Sequence, residues 1–125
     1  MFDLFKKKRA ELATNGLFVV TVNVARGTNT EMPAHLVGAY VPVYAAAADH
    51  ELAAKAAVTR LVSQGFELID LHGPIQQIDP RRWSDYVQGT WPEIVSHFPS
   101  QQDVLAGLAS GTVFTGPFIS YEDAA

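Results

Sequence analysis

The chain has 125 residues, 48% of them hydrophobic and 18% charged, with no cysteine. A chain of this length buries roughly two-thirds of its surface, enough for one core and too little for two, and its apolar content excludes wholesale disorder. Lacking cysteine it has no disulfide, thiolate metal site or cysteine nucleophile, and a net charge of −4 marks it as acidic.

Charge is unevenly spread. Residues 1–9 carry Asp3 against Lys6, Lys7, Lys8 and Arg9, a net of +3, whereas residues 10–125 carry five cations against twelve anions, a net of −7. Such a body repels phosphate backbones, so nucleic acid is not an expected partner. In residues 1–16, helical spacing places Phe2, Phe5, Leu12 and Ala13 on one side with Arg9 in their midst. This predicts a short appended helix resting on the body with its cations in water. Asp3 and the lack of an apolar stretch of about 7–15 residues do not fit a secretory leader. No run approaches the roughly 20 apolar residues of a membrane span. A cytoplasmic location without membrane attachment is the expectation.

Residues 17–25 alternate, Phe18, Val20, Val22 and Val24 on one face and Leu17, Val19, Thr21 and Asn23 on the other, which predicts a strand. Gly, Asn, Thr and Pro make residues 26–33 a loop. A second strand is expected over residues 35–46, with Val37, Ala39, Val41, Val43 and Ala45 opposed to Leu36, Gly38, Tyr40, Pro42 and Tyr44. Proline cannot donate to a ladder, so Pro42 points to an edge position or a bulge. Asp49 is a fitting N-cap for a helix over residues 50–64, with Ala54, Ala57, Val58, Leu61 and Val62 as its inner face and Gly65 as its left-handed stop. A strand over residues 66–72 follows, broken by Gly73-Pro74. Strand, helix and strand form a crossover unit whose two strands run parallel, and residues 75–78 can add a further extended piece.

Asp79-Pro80 opens a short helix over residues 81–88, ended by Gly89. Thr90 and Glu93 match a capping box for a second helix to Phe98. Ser100 opens a third, ending near Gly111, and residues 112–121 are β-rich with a break at Gly116-Pro117. The fold class expected is α+β: a small mixed sheet of four or so strands packed on one main helix, with two or three short C-terminal helices. A ferredoxin-like or related split βαβ topology is compatible with it. One domain is expected over residues 1–125, with an appendage (1–16), a sheet–helix–sheet core (17–78) and a C-terminal third (79–125).

Signatures of catalysis are missing. Gly111 and Gly116 have phosphate-loop separation, but Pro117 and Phe118 stand where Lys and Ser or Thr are needed. No G-x-S-x-G elbow is present. His35, His50, His72 and His97 show no ligand spacing, so neither a metal nor a cofactor is expected. Asp70 and His72, two apart on a strand, point to one side. They serve either a ligand or the adjoining Gly73-Pro74 turn.

Trp83, Tyr86 and Trp91 beside Arg81 and Arg82 have the composition of an interface hot spot. The competing account is that Trp83, Val87, Trp91 and Ile94 plug the end of the core. The sheet face bearing Leu17, Val19, Thr21, Asn23, Tyr40 and Tyr44 is too apolar to be left wholly in water. The C-terminal helices, a second copy or a partner should cover it. The leading expectation is a non-catalytic acidic domain that binds another protein or itself, of the immunity type or another interaction protein. Its interaction residues are Trp83, Tyr86, Trp91, Arg81, Arg82, Tyr40 and Tyr44. The alternative is a small-molecule-binding protein or enzyme with a pocket on that face, anchored by Tyr40, Tyr44, Asp70 and His72.

Overall fold

The computed structural model describes residues 15–122; the expected N-terminal helix lies outside them. Two ten-residue strands form its centre, β1 (Gly16–Ala25) and β2 (Gly38–Ala47), paired antiparallel without a break from Gly16↔Ala47 to Ala25↔Gly38. Their alternating valines, stiff at χ1 and suited to a pleated surface, account for the length. The second strand starts at Gly38 rather than residue 35, and Val37 before it is exposed.

Helix α1 (His50–Ser63) follows β2. The Asp49 carboxylate accepts the Leu52 N–H at 2.8 Å, as an N-cap should. At the other end Gly65 (φ 93°) and Phe66 donate back to the carbonyls of Val62 and Leu61, a complete Schellman turn. The buried stripe is Ala53, Ala57 and Leu61. Of the expected face, Ala57 and Leu61 are buried, whereas Ala54 and Val58 are half-buried and Val62 is 51% exposed, so the stripe is rolled towards Ala53. Phe66, joined to the Leu61 carbonyl through the C-terminal turn, is buried in the same core as Leu61.

Strands β3 (Glu67–Leu71) and β4 (Gln76–Ile78) both pair antiparallel with β1, β3 along residues 22–25 and β4 along residues 17–19. A 3-10 turn (Pro80–Arg82), α2 (Trp83–Thr90), a second 3-10 turn (Val95–His97) and α3 (Gln101–Gly107) come next. Strands β5 (Val113–Thr115) and β6 (Ile119–Tyr121) then pair antiparallel with β2. Among the described residues the sheet thus has six strands in the order β3-β1-β2-β5, with β4 also on β1 and β6 also on β2. It is antiparallel throughout, not mixed. β2 and β3 do run in the same direction across α1, but β1 lies between them and they never pair.

Pro42 sits on an interior strand, contrary to the edge or bulge expected. Thr21, opposite Pro42, turns its carbonyl away from β2 to accept the His72 N–H, so the Pro42 backbone also points outward. There the partner chain is broken between β5 and β6 at Gly116-Pro117, and the Gly116 N–H reaches the Pro42 carbonyl at 2.8 Å. The missing donor faces a gap in the ladder.

The C-terminal third departs from its local signals. Gly89 does not end α2, and Thr90 is its last residue rather than an N-cap; the Trp91 N–H continues the ladder to Val87 at 2.7 Å. Packing of Trp83, Val87 and Trp91 outweighs the roughly 1 kcal/mol cost of one helical glycine. α3 is capped by Ser100 as expected but stops at Gly107, short of Gly111.

Two cores result. One lies between α1 and the sheet, built on Phe18, Val20, Val22, Val24, Ala39, Val41, Val43 and Ala45. The other lies between the opposite sheet face and the C-terminal helices, built on Leu17, Val19, Tyr44, Ile78, Trp83, Val87 and Val104. Among the described residues no helix is long and apolar enough to cross a membrane.

Candidate functional site

The aromatic cluster of the C-terminal third points inward. Trp83 (1% exposed) and Tyr44 (0%) are interior, with Tyr86, Trp91, Phe98 and Phe114 packed round them. Tyr44 meets Trp83 edge-on at 5.2 Å and stacks on Phe114 at 5.3 Å, geometries that ring quadrupoles favour. Its hydroxyl accepts from Trp91 Nε1 at 2.9 Å and shares a hydrogen bond of 2.9 Å with the Tyr86 hydroxyl. Burial, reinforced by the Tyr86 contact, pushes the Tyr44 hydroxyl well above the ordinary tyrosine range. Trp83 and Tyr44 therefore offer no side chain to a partner. Arg81 and Arg82 are exposed, but each faces an acid of its own chain, Asp79 at 3.3 Å and Asp85 at 3.6 Å. Hydrogen bonds from the Arg81 backbone and side chain hold the Asp79 carboxyl below the usual carboxylate range.

The sheet face over which this plug sits is consequently divided. Leu17, Val19 and Tyr44 are roofed by the C-terminal helices, so the greasiest half of the face needs no outside cover. The other half, from Thr21 and Pro42 to Tyr121, is not part of that core. Strand register fixes what it displays. Asp70, Asn23, Tyr40 and Ile119 stand directly opposite one another on β3, β1, β2 and β6, and directly paired residues share a face. They form one row across the sheet, about 14 Å long at the usual strand spacing. On one side of the row stands His72, whose N–H is bonded to Thr21 and whose ring lies 4.8 Å from that of Tyr40. On the other side Tyr121 lies 5.2 Å from Tyr40.

Two residues that look out of place in their strands make this surface. Asn23, the one buried polar side chain between apolar neighbours among the described residues, accepts the Tyr121 hydroxyl at 2.5 Å. Gly38 leaves room for that ring, since a Cβ there would stand 2.5 Å from the Tyr121 oxygen. A polar residue in a valine-rich strand and a glycine within a strand were the available signals. Neither identifies Tyr121, which is 98 residues from Asn23. The expected anchors Tyr40, Asp70 and His72 are thus brought to one open surface, whereas Tyr44 belongs to the plug. Ile119 (54% exposed) and Tyr121 join them unforeseen.

A cavity of about 610 Å³ opens elsewhere, beside the C-terminal end of α1, lined among others by Glu31, Met32, Gln64, Phe66, Thr115 and Phe118. Residues 29–33, within a stretch whose composition predicts only a connecting loop, form one wall. Among the described residues no three His, Asp or Glu side chains converge as a metal ion would require. No protein family matches the chain, and comparison with curated proteins and with solved structures finds no significant similarity.

Proposed function

We propose that the chain is a non-catalytic binding domain that holds a basic protein partner on the open half of its second sheet face. The observation that carries this reading is the row Asp70–Asn23–Tyr40–Ile119, acidic at one end and apolar at the other, flanked by the rings of His72 and Tyr121. The half-buried rings of Tyr40 and Tyr121 beside the exposed Ile119, set in a polar rim, have the character of protein-recognition anchors.

Charge selects the partner. Residues 15–122 hold five Lys and Arg against ten Asp and Glu, and Lys55, Arg81 and Arg82 each pair with a neighbouring acid of the same chain. This net negative charge of the described residues favours the approach of basic macromolecules over that of a second copy. Glu67, opposite Ala25 on the same face as Asp70, extends the acidic rim.

Affinity capture from native lysate tests this with three baits: the natural chain, Ile119→Asp and Asp70→Lys. The expected result is a basic protein retained by the natural chain, lost with either variant and weakened by about tenfold or more when salt rises several-fold. Retention of the same proteins by all three baits would contradict it.

A further inference from the structure

The cavity beside α1 is a second site, independent of the sheet face. Its volume of about 610 Å³ lies in the range that encloses small ligands. Its wall is held in place before any ligand arrives. Asn29 donates from Nδ2 to the Gln64 carbonyl at 2.7 Å, while its Oδ1 accepts the N–H groups of Glu31 (2.9 Å) and Met32 (3.2 Å). Arg26 Nε donates to the Met32 carbonyl at 2.7 Å, and the Thr28 N–H to the Gly65 carbonyl at 2.9 Å. Gly27 (φ 56°) permits this close approach, because a Cβ there would stand 2.3 Å from the Gly65 oxygen.

The lining has a definite chemical character. Phe66 and the 38% exposed Phe118 meet at 5.3 Å with a 41° tilt, and with Met32 they give an apolar corner. Gln64 and Thr115 add hydrogen-bonding groups, and Glu31 adds a carboxylate. Among the described residues no Lys, Arg or His side chain lines the cavity, and the nearby Arg26 guanidinium is engaged by the Met32 carbonyl. Gln64 is the C-cap of the fourteen-residue α1, so the cavity adjoins the negative end of that helix's dipole. Carboxylate, helix terminus and ring faces all favour a cation and disfavour an anion.

We infer that this cavity binds a small amphipathic amine, its flat apolar body against Phe66 and Phe118 and its ammonium group towards Glu31. Titration of the 15N-labelled chain with tryptamine, and separately with indole-3-acetate, tests it by amide shifts. Tryptamine should give saturable shifts at Glu31, Phe66 and Phe118, and indole-3-acetate none. Glu31→Gln should weaken tryptamine about fivefold and Phe118→Ala, which removes a ring-stacking contact, about tenfold, while Tyr40→Ala leaves it unchanged. Glu31 and Phe118 are surface side chains, and the same spectra report that each variant is folded. Equal binding of indole-3-acetate, shifts centred on Tyr40, or no saturation up to about 10 mM tryptamine would overturn the assignment.

Discussion

Tyr44 joins the two halves of the molecule at a single atom. It is fully buried, yet its hydroxyl ties Trp91 and Tyr86 of the C-terminal third to the central hairpin. Tyr44→Phe keeps the ring packing and leaves the Trp91 N–H without its acceptor, so unfolding in urea should show a loss of about 1–3 kcal/mol. The hydroxyl also sets an alkaline limit. Its ionisation is pushed upward by burial in the folded chain, whereas an unfolded tyrosine ionises near pH 10. Stability from this group is therefore present in full below about pH 10 and lost as pH rises above it, because only the unfolded chain then releases the proton. Denaturation midpoints measured from pH 7 upward should fall beyond about pH 10, and the fall should be smaller in Tyr44→Phe. An equal fall in both proteins would place the alkaline sensitivity elsewhere. Tyr44 was legible as part of an alternating strand. Its partners were not, because contacts 42 and 47 residues away leave no local trace.

Among the elements, those written in local chemistry were the legible ones. The alternation in β1 and β2, the Asp49 cap and the Gly65 stop of α1 each need only neighbours in sequence. Asp49→Ala should cost about 1 kcal/mol through the lost Leu52 N–H acceptor, measured as a lower urea midpoint with an unchanged slope. A change well below that would mean the cap is replaceable by water. Where packing competes with a local signal, the local signal loses. Gly89 and the Thr90–Glu93 box promised two helices, and the contacts of Trp83, Val87 and Trp91 made one helix and a 3-10 turn. Pro42 departs from its local signal for a related reason. Its tolerance inside the sheet depends on a break at Gly116-Pro117, more than seventy residues downstream.

Considered whole, the molecule is a central hairpin with α1 on one face and the C-terminal helices on part of the other. Both outer rows of the sheet are interrupted at Gly-Pro, β3 from β4 at residues 73–74 and β5 from β6 at residues 116–117. Short, proline-broken edges discourage pairing with another chain's strands, which leaves side chains rather than backbone as the means of recognition. The apolar second face was visible in the sequence. That it would be shared between an internal roof and an open row was not, since this depends on where the C-terminal helices come to rest. What remains open is small, aromatic and acidic at its rim, and recognition of a basic protein is the function proposed for it. A photo-crosslinking residue placed at position 119, compared with one at exposed position 85 on α2, tests this assignment most directly. In native lysate the account predicts an adduct with one basic protein from position 119 and none from position 85. No adduct at 119, or one formed only with a second copy of the chain, would contradict it.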